Sequence, residues 1–407
     1  MRSISRRRAI RHAAALVALP AIGRGLQTLD ASLTLPHAAS AAGRAQPATA
    51  RSSVLEPLDS RVLPPGVRAR FVDNGNGARM HVLEAGFEER GRPGVLLLHG
   101  FPELAYCWRK VLGPLAAAGY HVIAPDLRGY GRTTGWDVGY DDDLAPFTML
   151  NEVRDMLGLV SALGYRSVAL VGHDFGSLVA GWCAMTRPDV FDSVALMSAP
   201  FDGAPAIPFD TQNKAPSAPA SRSPDAMQAE LARLQPPRKP YRQYYSSRQA
   251  NADMWKPPQG VQAFLRAYYH VKSADWPANA PHRLKSSDPS ELARLPRYYV
   301  MDLDKGMPDT VAGDMPTPEA IAACRWLPDT ELRVFSEEYA RTGFQGGLQG
   351  YRVRTGARFL SELQLFSGRT IDVPACFISG TQDWGMYQTP GALERLQRTV
   401  CRRMIGT

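Results

Sequence analysis

The stretch Val168-Ala169-Leu170-Val171-Gly172-His173-Asp174-Phe175-Gly176-Ser177 leaves few folds open to this chain. A short, wholly apolar run of this kind suits a strand buried on both faces of a parallel sheet. The two glycines frame a turn tight enough to hold the middle side chain, Asp174, up at the end of that strand. The apolar residues that follow predict a helix, whose first turn supplies free backbone N–H groups behind the aspartate. A carboxylate held there can attack saturated carbon and leave an ester. The plainer reading is that Asp174 only caps the helix, a common task for this residue.

The surrounding sequence agrees with a sheet. Ala69–Asp73 and Arg79–Glu84 flank Asn74-Gly75-Asn76-Gly77, which predicts a hairpin. Val95–Leu98, His121–Ala124 and Val194–Met197 are further buried-strand runs, and Met149–Leu163 has helical spacing. Strands alternating with helices predict an α/β fold. After Ser198 the pattern breaks. A Pro-, Ala- and Ser-rich stretch over 202–224 reads as a loop, and 225–355 reads as helical without strand alternation. The strand pattern returns at Ala375–Ser379, with a helix expected over Gly391–Thr399. The expected division is a leader and linker over 1–65, a first core part over 66–201, a helical insertion over 202–355 and a second core part over 356–407.

Composition narrows the function. The net charge of +8 comes from the first 70 residues, where 11 arginines face three acids; the remaining bases and acids balance at 36 each. The folded part therefore gives no electrostatic case for nucleic acid. The five cysteines have neither metal-ligand spacing nor the pattern of a disulfide framework, and Cys183 and Cys376 sit in apolar runs as core residues. The arginine-rich start and the short apolar run Ala13–Ile22 read as a targeting segment. That run is too short to span a membrane. Its Ser5-Arg6-Arg7-Arg8 opening resembles a twin-arginine export signal, so a periplasmic or secreted location is expected. A mitochondrial transit peptide or a mistaken start, which leaves the protein cytoplasmic, are the alternatives.

Four further motifs accompany the Asp174 turn. His99-Gly100-Phe101-Pro102-Glu103 follows the Val95–Leu98 strand, and Trp108-Arg109 comes shortly after. The backbone N–H groups of Phe101 and Phe175 can point at one oxygen, as an oxyanion hole requires. Asp126-Leu127-Arg128-Gly129-Tyr130-Gly131 follows the next strand, with Asp126 and Arg128 read as structural hydrogen-bonding residues. Tyr241-Arg242-Gln243-Tyr244-Tyr245 and Thr342–Arg352 lie in the insertion, and Ser379-Gly380-Thr381-Gln382-Asp383 follows the last strand run.

Together these motifs resemble the epoxide hydrolase-like α/β-hydrolases, the aspartate-nucleophile branch that also holds haloalkane dehalogenases, and the likeness spans everything past the leader. The resemblance implies an α/β-hydrolase sheet with a helical cap inserted after the sixth strand, and an enzyme that opens epoxides to diols through an ester on Asp174. It implies Tyr241 and Tyr351 as proton donors, with Tyr244 a rival to the first, and Asp383 as the acid that orients a histidine. Trp108 and Pro102 are expected to border a small apolar epoxide that reacts with water. No cofactor and no metal are required, and the oligomeric state stays open.

Two departures stand out. No histidine follows Asp383, and the final strand with its histidine loop reads as missing; a sequence that stops short is the simplest expectation, an inactive relative the alternative. His270 and His282 fall in the insertion, and His173 diverges from its neighbour Asp174. Phe175 stands where related enzymes often carry Trp and cannot donate to a halide, which counts against a dehalogenase. A dehalogenase-type hydrolase and a non-catalytic binding protein remain the alternative functions.

Overall fold

The computed structural model describes residues 55–207, 209, 223–356 and 358–407. The expected export signal lies outside them, as does most of the proline-rich loop. Among the described residues no helix is long and apolar enough to cross a membrane.

The central sheet has eight strands. β1 (Val67–Asp73) and β2 (Arg79–Ala85) form the predicted hairpin, Val67 opposite Ala85 and Asp73 opposite Arg79. β3 (Gly94–Leu98), β4 (His121–Pro125), β5 (Val168–His173) and β6 (Phe191–Met197) follow. The chain then leaves for the helical insertion, which also contains β7 (Arg238–Pro240) and β8 (Val300–Asp302). It returns as β9 (Ala375–Ile378) and β10 (Met404–Gly406). The spatial order is β1-β2-β4-β3-β5-β6-β9-β10, antiparallel at β1, β2 and β4 and parallel from β4 onward. The end of the chain, from Cys401 onward, reads in the sequence as the opening of another strand, and Met404–Gly406 forms it beside β9, so the last strand expected to be missing is present over three residues.

The parallel strands are buried as their composition requires: Leu96, Leu97 and Leu98 are wholly enclosed, each contributing about 1.5–3 kcal/mol by leaving water. Helix α1 (Arg109–Ala117) follows β3, helix α2 (Met149–Ala162) follows β4 and helix α3 (Phe175–Thr186) follows β5. Thr148 caps α2, its hydroxyl accepting from the Asn151 amide. Gly176 explains how closely α3 meets β3, since a Cβ there would lie 2.3 Å from the Leu98 carbonyl oxygen.

Because β4 and β5 flank β3 on opposite sides, the loops after β3 and β5 part in opposite directions. A crevice opens at the carboxyl ends, where such sheets bind ligands. Leu98 is in register with Gly172, so the His99–Glu103 loop and the Asp174 turn leave the sheet side by side. Asp126 and Arg128 serve structure, as read. Asp126 accepts from the Ala105 and Arg132 amides at 2.8 and 3.0 Å and faces His81 at 2.8 Å. Arg128 pairs with buried Asp155 at 2.7 Å.

The insertion is mainly helical. Its parts used below are helices α4 (Tyr241–Tyr245), α5 (Val261–Val271), α6 (Asp329–Thr342) and α7 (Gln345–Thr355). The β7–β8 ribbon, three residues a side, departs from the expectation of helix alone. The insertion is tied to the core by Arg132–Glu338 at 2.6 Å and by the Tyr269 and Tyr339 hydroxyls, which donate to the Pro102 and Glu103 carbonyls. Residues 55–65, expected to stand outside the fold, run along it instead. The Tyr106 hydroxyl donates to the Val62 carbonyl at 3.0 Å and Arg132 reaches the Glu56 carbonyl at 2.7 Å.

Candidate active site

Asp174 sits at the apex of the β5–α3 turn with φ 52° and ψ −115°. A non-glycine residue in that region stores about 1–3 kcal/mol of strain. Its carboxylate makes no capping bond to α3, so helix capping does not account for it. Instead Asp174 Oδ1 accepts the Phe101 backbone N–H at 3.1 Å, and no protein donor meets the other oxygen among the described residues. Gly100 makes this approach possible, since a Cβ there would lie 2.4 Å from that of Asp174. The Phe175 amide opens α3 directly beside it.

The insertion brings two tyrosines over this carboxylate. Tyr241, on α4, and Tyr351, on α7, have ring centroids 6.0 Å apart, and both border the same cavity of about 60 Å³ as Asp174. The Tyr241 hydroxyl donates to Gln388 Oε1 at 3.1 Å and accepts from Arg242 Nε at 3.3 Å. Tyr351 is buried. That burial, with Tyr241 and the Asp174 charge nearby, pushes its phenol well above the usual tyrosine range, so it stays protonated. Tyr244 is turned away and donates to Asp253 at 2.9 Å, leaving Tyr241 as the tyrosine of that segment that lines the cavity.

Asp383 follows β9, its carboxylate accepting from the Gly385 amide at 2.6 Å and from the Ser379 hydroxyl at 3.1 Å. Trp108 and Pro102 were expected to border the pocket, and neither borders the Asp174 cavity. Trp108 is buried behind the His99–Glu103 loop, at the start of α1, and the Pro102 carbonyl is taken by Tyr269. The lining beside Asp174 is charged and polar, with Asp202, Arg242, Arg354 and Gln388. Phe147, Trp182, Phe201 and Phe359 line an adjoining cavity of about 220 Å³. A larger hollow of about 570 Å³ lies on the insertion between α5 and α6 and shares no residue with either. The arginines and Gln388 escaped sequence reading because single polar residues on helices and loops look like surface; only their spacing from the tyrosines could have flagged them.

A half-buried ion pair joins the two loops that meet at Asp174. His173 Nδ1 lies 3.0 Å from Glu103 Oε2, which also accepts the Gly100 amide at 3.2 Å. Burial opposes both charges, yet the pairing prevails: His173 is lifted to about 9, and Glu103 is lowered to about 2. The His173 contribution is complete below the usual imidazole value of 6.5 and is lost as pH rises through 9. The Glu103 contribution is complete above the usual 4.5 and is lost as pH falls through 2. Glu103→Gln should therefore lower the melting temperature most between pH 4.5 and 6.5, by the equivalent of about 1 kcal/mol at most, and less at pH 9. Thermal melts of both proteins across this range check it. An equal gap at pH 5.5 and pH 9 would assign the loss to packing instead of charge.

Comparison with known proteins shows the family. A family profile described as alpha/beta hydrolase fold matches residues 93–399. Epoxide hydrolase A of Mycobacterium tuberculosis is 32% identical over 322 residues, which cover 77% of this chain and 82% of that protein. Epoxide hydrolase 3 of Siraitia grosvenorii is 29% identical over 328 residues, 79% of this chain and 83% of that one. Among solved structures, an epoxide hydrolase from an endophytic Streptomyces superposes with a TM-score of 0.63 at 29% identity, covering 84% of this chain and 87% of that one.

Proposed function

Since the chain belongs to the α/β-hydrolase family and to its epoxide hydrolase-like branch, we propose that it is a hydrolase that opens epoxides through an ester on Asp174. The observation that carries the reading is the Asp174 carboxylate itself. It is held on a strained turn, is free of any capping role, and has one oxygen on the Phe101 amide.

In this reading the free oxygen of Asp174 attacks an epoxide carbon from below. The ring C–O bond breaks, its electron pair goes to the oxirane oxygen, and a phenol of Tyr241 or Tyr351 supplies the proton. The hydrogen-bonded oxygen, Oδ1, becomes the ester carbonyl and already sits on its donor. When water attacks that carbonyl, the negative charge grows on Oδ1, where the Phe101 and Phe175 amides stabilise it. Asp383 is placed to orient the base that would take the water's proton, and no imidazole meets it among the described residues. With such a base, collapse would release the diol and return the carboxylate. The helical insertion acts as the cap that covers the reacting atoms and carries both tyrosines.

Incubation with styrene oxide tests the function. The expected product is one epoxide added per protein, or its diol. A 1-bromoalkane should release no bromide, because Phe175 offers no ring N–H to the leaving halide. Bromide release without epoxide consumption would favour the dehalogenase reading, and no reaction with either would favour a binding protein.

The tyrosines carry a second expectation. Tyr351→Phe and Tyr241→Phe each remove one O–H and little volume, so the fold should stand while ring opening slows. A lost general acid costs ~10²–10⁴-fold, with single variants near the lower end because the other phenol remains. Stopped-flow or quenched measurement of epoxide addition checks this. Unchanged rates in both variants would return the pair to a packing role.

A further inference from the structure

Two guanidinium groups border the Asp174 cavity. Arg242 donates to the Tyr241 hydroxyl at 3.3 Å, with a second nitrogen 3.5 Å from Gln388 Oε1. Arg354 comes from α7, three residues after Tyr351, and is solvent-exposed where the small cavity meets the larger apolar one. Neither arginine makes an ion pair among the described residues. Asp202, the other carboxylate of the lining, is already engaged by Arg395 at 2.6 Å.

The charge balance of the reaction turns this into an argument. At rest, Asp174 shares the lining with both cations and with Asp202, which favours the charge of Arg242. Once Asp174 is an ester it carries no charge, and Asp202, shared with Arg395, is the one carboxylate left in the described lining. Cations left short of counter-charge in a partly enclosed site are costly. A substrate that brings its own negative charge would remove that cost during the step in which Asp174 loses its own.

We infer that Arg242 and Arg354 form a carboxylate-binding subsite beside the oxirane position, so that the epoxides this protein takes best carry a carboxylate close to the ring. The inference rests on the Asp174 reading above. The planar fork of Arg fits a carboxylate through two hydrogen bonds. The spacing fits as well. Tyr241 contacts the oxirane oxygen in that reading, and Arg242 lies against the same hydroxyl. With hydrogen bonds of about 2.8 Å on each side, the bound carboxylate can lie within a few ångström of the oxirane oxygen. That is the reach of a carboxyl group attached to the ring or one carbon removed, and the adjoining apolar cavity takes the rest of the molecule.

Oxirane-2-carboxylate and its amide differ by one charge at nearly constant size and serve as probes. The measurement is the second-order rate of addition to the Asp174 peptide, followed by mass spectrometry, in the full chain, in Arg354→Gln and in Arg354→Lys. Charge-assisted hydrogen bonds predict that the acid-to-amide rate ratio falls by roughly 10- to 100-fold in Arg354→Gln. In Arg354→Lys the charge is kept without the fork, so the fall should be smaller. A ratio unchanged in Arg354→Gln, with normal circular dichroism, overturns the subsite while leaving the epoxide reading intact. So does an amide that outpaces the acid in the unaltered protein. No addition from either probe, or from styrene oxide, overturns the epoxide reading and the subsite with it.

Discussion

Asp174→Asn should abolish epoxide addition, with a rate loss on the order of 10⁴-fold or more, the scale seen when a covalent nucleophile is removed. The amide keeps the size of the side chain, so the turn between β5 and α3 and the Phe101 N–H contact to Oδ1 should persist. Stability is expected to hold or to rise slightly, because one carboxylate is removed from beside a strained backbone. Epoxide consumption and a thermal melt, read together, separate loss of chemistry from loss of fold. Retained addition in a folded Asp174→Asn protein would mean that another group is the nucleophile.

The second large effect concerns the water step of the 407-residue chain. Every described histidine of the core has another task. His81 faces Asp126, His121 lies between Tyr165 and Glu84, and His173 is held by Glu103. His99 accepts the Leu127 amide through one ring nitrogen and donates to the Gly100 carbonyl through the other. Asp383 meets Gly385 and Ser379 and no imidazole among the described residues. Ring opening has its nucleophile and its acids in place, whereas the ester lacks a base poised to activate water. Losing such a base costs roughly 10²–10⁴-fold in the step it serves. This chain should therefore consume about one equivalent of epoxide in a burst and then stall as the ester, with negligible diol afterwards. Sustained turnover would show that a base has been overlooked. His282 would be replaced first, because its ring packs edge-on against Trp384, next to Asp383, at 5.0 Å between centroids.

The parts of the molecule legible in the sequence were those fixed by local chemistry. Val95–Leu98 and Val168–Val171 are apolar on both faces and could only be interior strands. The Asn74–Gly77 turn set the β1–β2 hairpin, and Gly172 and Gly176 marked the turn that raises Asp174. Tyr351 and Tyr241 could be placed together only through resemblance, since 110 positions separate them and no periodicity links α4 to α7. The Glu103–His173 pair was invisible for the same reason: an ion pair across two loops leaves no pattern in either. Trp108 and Pro102, expected at the pocket, stand away from the Asp174 cavity. The chain turns into α1 there and carries the indole into the core. The expected apolar pocket was also only half found. Its apolar part adjoins the reacting carboxylate, while the immediate surroundings of Asp174 are phenols, guanidiniums and an amide, polar groups whose inward direction is set by tertiary packing alone.

The most direct test of the central claim is to locate the covalent bond. The unaltered chain is mixed with a small excess of styrene oxide, quenched in acid within the burst and digested, and the peptides are sequenced by mass spectrometry. The mass of one intact epoxide should appear on the peptide that contains Asp174, at that residue, and be absent from the Asp174→Asn protein. An adduct on any other residue, with the Asp174 peptide unmodified, would contradict the account.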